Sequence, residues 1–187
     1  MSTDKVKDKI FIFDLHNTLY DEVLEYGGAM GAALDYLLGE FVNQGVSLTK
    51  DQLMAEVANA HAYLGSDWDE DVWVNVPSVL RLKNARHHAD QAQARRLAVS
   101  EQLTKQYAYT DTICVINELK SCGARIYIAT EATANAAACG VRWLGLDGVV
   151  DGVYSWPYLK KYEPLEHTPQ YNFPSDLVMP DLFIQKP

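Results

Sequence analysis

The chain has 187 residues, of which 48% are hydrophobic and 11% aromatic, enough for a packed core and too many for wholesale disorder. Its formal net charge of -9 works against a duplex-binding surface, which needs clustered Lys and Arg. The short basic stretch from Arg81 to Arg96 reads as a solvated helix face, so no nucleic-acid partner is expected.

The N-terminal residues "MSTDKVKDK" are polar and alternate in sign, unlike a signal peptide. Nowhere is there the run of about 20 apolar residues that a membrane span requires. A cytoplasmic protein with no membrane partner is expected. Cys114, Cys122 and Cys139 form no CxxC pair, which fits reduced thiols better than a disulfide framework or a zinc site.

Ile10 to Phe13 is a β-branched and aromatic run without polar alternation, the pattern of a parallel strand covered on both faces. From there to Gly123 the chain reads as helical. Met30, Ala33, Leu34, Leu37, Leu38 and Phe41 recur at helical spacing. Thr49 is an N-cap for a helix reaching about to Leu64, and Gln52 completes a capping box. Pro77 is placed to start another helix, and residues 86–106 form a long amphipathic one.

Residues 111–121 predict a further helix, closed by Gly123, and "ARIYIAT" (124–130) predicts the second buried strand. "EATANAAACGVRWLGL" reads as an alanine-rich helix ending near Gly145, and residues 148–156 as a third strand. Strand, helix, strand, helix, strand predicts a parallel α/β sheet. The excess length after the first strand predicts an all-helical insertion over one end of that sheet. The tail from Pro157 holds six prolines and predicts loop, with "DLFIQ" as a weak strand.

In open α/β sheets the functional crevice lies at the carboxyl ends of the strands. Asp14 and Thr130 each follow a predicted strand directly. A carboxylate there is costly unless a positive group meets it. Either residue taken singly reads as a helix cap; the two together, with the insertion beginning after the first, point to a reactive site.

The stretch "FIFDLHNTLYD" resembles motif I of the haloacid dehalogenase (HAD) superfamily, whose usual form is DxDxT. "IYIATEA" is similar to motif II, an apolar run ending in Thr or Ser, and the insertion is similar to a helical cap of the first cap class. The resemblance covers essentially the whole chain. It implies a HAD-like Rossmannoid core, residues 1–20 and 107–187, and a helical cap, residues 21–106.

The resemblance implies a Mg²⁺-dependent phosphomonoester hydrolase acting on a small phosphorylated metabolite. Asp14 would be the nucleophile that forms an aspartyl-phosphate. Thr130, with Glu131 beside it, and the loop residues Asn17 and Thr18 would bind the phosphoryl group. Asp14 and the backbone carbonyl of His16 would hold Mg²⁺. A metal and a lysine make the approach of an anionic nucleophile to an anionic substrate tolerable.

Two departures qualify the match. His16 stands where phosphatases of the family carry an acid/base Asp; an imidazole, with a reference pKa near 6.5, can do that work. "FIQKP" makes Lys186 the third-motif lysine, with Lys160 and Lys161 as rivals. No strand with an acidic pair follows, since Asp176 and Asp181 read as loop acids. The expectation is therefore a core incomplete at its C-terminus, a weakened metal site and an apolar edge at the first strand. Either the chain is a piece of a longer enzyme, or a partner or second copy covers that edge.

Two other readings stay open. One is a 2-haloacid dehalogenase, for which Tyr20, Asp21 and Glu22 supply no arginine to grip the substrate. The other is an inactive binding or oligomerising module. Trp68, Trp73, Arg81 and Lys83 in the insertion suit packing or surface roles as well as substrate recognition.

Overall fold

The computed structural model describes residues 6–64 and 72–156. In chain order the elements are β1 (Ile10–Phe13), α1 (Glu22–Asn43), α2 (Lys50–Leu64), two short 3₁₀ turns (Val72–Asn75 and Val79–Arg81), α3 (Ala85–Gln106), α4 (Thr110–Ser121), β2 (Arg125–Thr133), α5 (Ala134–Trp143) and β3 (Gly152–Trp156). The chain divides into two compact units, one of Met1–Leu19 with Thr110–Pro187 and one of Tyr20–Tyr109.

The first unit is α/β. Its sheet has the order β1-β2-β3 with both pairings parallel. Ile10 pairs with Arg125 and Phe13 with Ile128, while Tyr127 pairs with Gly152 and Ala129 with Tyr154. β2 is central, and its Ile126, Tyr127 and Ile128 are all buried. β-branched and aromatic residues suit such a strand because each face of the pleat finds a packing partner.

Gly123, at φ +84°, closes α4 in the left-handed region and turns the chain into β2, as the sequence predicts. Across the sheet's amino end, Asp151 N donates to Ile126 O while Ile126 N donates to the Asp151 carboxylate, both at 2.7 Å. Thr133 caps α5, its hydroxyl accepting from Ala136 N at 3.4 Å.

Three strand readings need correction. β1 is not covered on both faces: Ile10 and Ile12 are 43% and 55% exposed, and Phe11 and Phe13 are half-buried. An apolar run reports hydrophobicity, not what packs on it, and β1 ends the sheet among the described residues. β2 continues past Thr130 to Thr133, with a register irregularity between Ala129 and Thr133. β3 begins at Gly152 rather than Gly148, because Gly148 (φ +77°) and the turn bonds from Val149 N and Val150 N to Leu146 O curl the chain first.

The second unit is helical. Asp21 caps α1, its carboxylate accepting from Leu24 N at 3.0 Å, and Glu22 and Glu25 put negative charge in the first turn. Tyr20 and Ala108 form an antiparallel bridge and Asp21 N donates to Tyr107 O, so the unit's entry and exit strands are clasped together. Ala33, Leu34, Leu37 and Phe41 of α1 pack with Leu53, Val57 and Ala60 of α2 and Ala89 and Ala92 of α3. Val72, Trp73, Val76 and Val79 complete this core.

Trp73, for which core packing was one of two readings, is fully buried and donates to Gln93 Oε1 at 2.9 Å. The capping box at α2 is present: Thr49 N donates to Gln52 Oε1 at 2.9 Å, and Gln52 N to Thr49 Oγ1 at 3.2 Å. Pro77 leads only into the 3₁₀ turn Val79–Arg81, where Glu56 takes both Ser78 N and Ser78 Oγ at 2.7 Å. Arg96 is not on a solvated face: it is 1% exposed. No described helix is long and apolar enough to cross a membrane.

Candidate active site

β1 delivers Phe13 into register with Ile128 and then stops, so Asp14 emerges at the carboxyl end of the sheet and is exposed. The two residues after Ile128 on β2 are Ala129 and Thr130. In the parallel register Asp14, one residue beyond β1, falls level with Ala129 of β2; Thr130 is the next residue along β2, which runs on to Thr133 through the irregular part of its pairing with β3.

The loop after Asp14 is shaped by its leucines. Leu15 and Leu19 are both fully buried, and Leu19 N donates to Leu15 O at 3.0 Å, closing one helical turn. Asn17 takes the left-handed conformation (φ +55°), which Asn tolerates better than most residues, and this lets the turn reverse within five residues. Asn17 is exposed, while His16 and Thr18 are half-buried.

Thr130 is half-buried, and its Oγ1 accepts from Ala132 N at 3.2 Å. That bond uses an oxygen lone pair and keeps the hydroxyl proton available, so the side chain is oriented yet still able to donate. Glu131 is exposed. The strongly held carboxylate of this unit is a different one, Asp151. Burial would raise its pKa, but hydrogen bonds from Lys120 and Ile126, with the charges of Lys120 and Arg125, bring it below its ordinary value. It meets the first residues of β2, away from the end where Thr130 lies, and its role is to fasten α4, β2 and β3.

Sequence reasoning missed the support beneath the loop. Leu15 lies against Gly140 of α5, so closely that a Cβ there would stand 3.1 Å from Leu15 Cδ2. The available signal was a glycine inside the helical run "AACGVRW".

Among the described residues, no three His, Cys, Asp or Glu side chains gather as a group able to hold a metal ion. Lys160, Lys161, Lys186, Asp176, Asp181 and Trp68 lie outside the described residues.

No protein-family profile matches the sequence, and no curated protein matches it. Solved structures do. A 2-haloacid dehalogenase from Pseudomonas syringae pv. Tomato DC3000 matches with TM-score 0.58 and 18% identity, over 79% of this chain and 64% of that one. A haloacid dehalogenase-like hydrolase from Streptococcus pneumoniae matches with TM-score 0.38 and 18% identity, over 81% of this chain and 62% of that one. The chain therefore spans less than two thirds of the length of either. Its fold is that of the HAD hydrolases.

Proposed function

We propose that this HAD-type fold serves a phosphomonoester hydrolase that works through an aspartyl-phosphate on Asp14, acting on a small phosphorylated metabolite. The observation that carries the reading is the exposed Asp14 residue, one position beyond β1, with Thr130 two positions past Ile128, the β2 partner of Phe13.

An Asp14 oxygen attacks phosphorus, the bond to the ester oxygen breaks, and the departing alkoxide takes a proton from His16. The Thr130 hydroxyl donates to a phosphoryl oxygen as charge shifts onto it. Water then gives a proton back to His16 and attacks the acyl-phosphate, releasing inorganic phosphate and restoring the Asp14 carboxylate. Asn17, Thr18 and Glu131 border the group being transferred. Asp14 and the backbone carbonyl of His16 would hold Mg²⁺, which would offset the negative charge between the carboxylate and the phosphoryl group.

The experiment is hydrolysis of an aryl phosphate by the chain and by Asp14→Asn, with Mg²⁺ and with EDTA. Support is turnover that Asp14→Asn abolishes, accompanied by phosphate trapped on Asp14 in the wild-type chain after acid quench. Chloride release from a 2-chloroacid without any metal, with no phosphate release, would replace the reading with carbon-centred chemistry on the same aspartate.

A further inference from the structure

α3 carries a polar stripe where a helix core is ordinarily apolar. Arg96, Ser100 and Thr104 are spaced by four, so they share one face, and they are 1%, 0% and 0% exposed. On α1, Glu25 is likewise 0% exposed, one turn beyond the Asp21 cap. Both Glu25 carboxyl oxygens, Ser100 Oγ and Thr104 Oγ1 are buried without a hydrogen-bond partner. Four such oxygens in one helical unit are costly, and an ionised carboxylate among them costs the most.

We propose that Glu25 makes the pairing of α1 with α3 proton-dependent, so that the helical unit holds most tightly with Glu25 as a neutral acid and loosens as Glu25 ionises. This goes beyond the proposed hydrolase reading and does not rest on it. A neutral carboxyl escapes the cost of holding a charge out of water; a carboxylate must bear it, with Ser100 and Arg96 opposing it.

The charged groups that act on Glu25 are Arg96 from α3 and Glu22 from its own helix. Arg96 also stacks over the Tyr26 ring at 5.4 Å, and Tyr26 in turn meets His61 of α2 at 3.5 Å. Burial raises the Glu25 pKa above its ordinary value and Glu22 adds to this, while Ser100 and Arg96 oppose it. Ser100 acts on the carboxylate without completing a well-formed hydrogen bond, so burial prevails. For a carboxyl raised in the folded state, the native form binds more protons than the unfolded one. Stability is therefore lost as pH climbs from the unfolded value toward the folded one.

The test uses the full chain. Carbon-13 carboxyl NMR follows the titration of Glu25, and hydrogen exchange, corrected for the intrinsic rate, follows the α1 and α3 amides across the same pH range. Glu25 titrates well above the exposed glutamates, and protection of α1 and α3 falls about tenfold for each unit of that elevation. Glu25→Gln flattens this pH dependence and is the better protected chain at pH 8. The proposal is overturned if Glu25 titrates near the ordinary glutamate value of about 4.3, a result that needs no variant to fold. It is equally overturned if Glu25→Gln is less protected than wild type at pH 8, which would mean that an ionised Glu25–Arg96 pair holds the helices together.

Discussion

Leu15 rests on Gly140: a Cβ added at this α5 position would stand 3.1 Å from Cδ2 of the side chain that follows the candidate nucleophile, close enough that Leu15 must give by a few tenths of an ångström. Leu15 is fully buried, so it has little room to yield. Alanine at 140 should gain roughly 0.5–1 kcal/mol of helix propensity, because glycine is a poor helix former. It should lose a comparable amount by pressing on Leu15. The expected Gly140→Ala chain melts within a few degrees of wild type, yet turns over aryl phosphate about tenfold more slowly, since misplaced catalytic groups are penalised steeply. Gly140→Val, with more volume to place, should cost about 1–3 kcal/mol in a denaturant titration. Unchanged kcat in Gly140→Ala would remove the contact from any account of how Asp14 is positioned.

Asp151 gives the α/β unit an acid-sensitive fastening. Its carboxyl lies below its ordinary value, with burial opposed by the bonds from Lys120 Nζ at 2.6 Å and Ile126 N at 2.7 Å. For a depressed carboxyl the stabilisation is fully present above the unfolded value of 3.8, and is lost as pH falls through the folded one. Because the side chain is 29% exposed, solvent screening keeps the contribution small. Asp151→Ala should cost about 1 kcal/mol at pH 7, mostly from the Ile126 amide left without its partner. The gap between variant and wild type should narrow as pH falls through the folded pKa of Asp151, which lies below 3.8. Equal melting temperatures at pH 7 would contradict this assignment.

How far the sequence alone could see depended on how local each signal is. The Thr49–Gln52 capping box, the Gly123 turn and the strand–helix–strand order are written in neighbouring residues, and each is found where the pattern puts it. Thr130 lies inside β2 rather than directly after it, because the strand runs on to Thr133. What failed to show was tertiary. The exposure of Ile10 and Ile12 depends on what packs against β1, and the burial of Arg96 depends on α1, which lies far away in sequence. The Leu15–Gly140 contact joins residues separated by the whole helical unit, so no window along the chain could display it.

The α2 capping box is open to a direct check. Thr49 satisfies the Gln52 amide, and Gln52 returns a bond to the Thr49 amide. Thr49→Ala removes the first bond and leaves the second, which the backbone amide donates, and should cost about 1 kcal/mol. Thr49→Ser keeps the oxygen and should lose a few tenths of that. A denaturant midpoint for Thr49→Ala equal to that of wild type would mean that α2 is fixed by its packing through Leu53 and Val57 rather than by its cap.

Glu56 tests how the helical unit manages the proline at its centre. Pro77 offers no N–H, and the chain after it makes only one 3₁₀ turn, so Ser78 must find partners elsewhere. Both Ser78 N and Ser78 Oγ find them in the Glu56 carboxylate at 2.7 Å, which ties α2 to a turn 22 residues away in sequence. Bonds to a charged group are worth about 1.5–3 kcal/mol, and Glu56→Ala should destabilise the chain by that order. Glu56→Gln keeps one carbonyl acceptor but exchanges the other oxygen for an NH₂ donor, so it should retain roughly half the effect. The two variants also separate charge from geometry. If Glu56→Gln behaves as badly as Glu56→Ala, the negative charge itself fastens the turn; if both match wild type in a urea titration, Val76 and Val79 hold it by packing and the carboxylate is incidental.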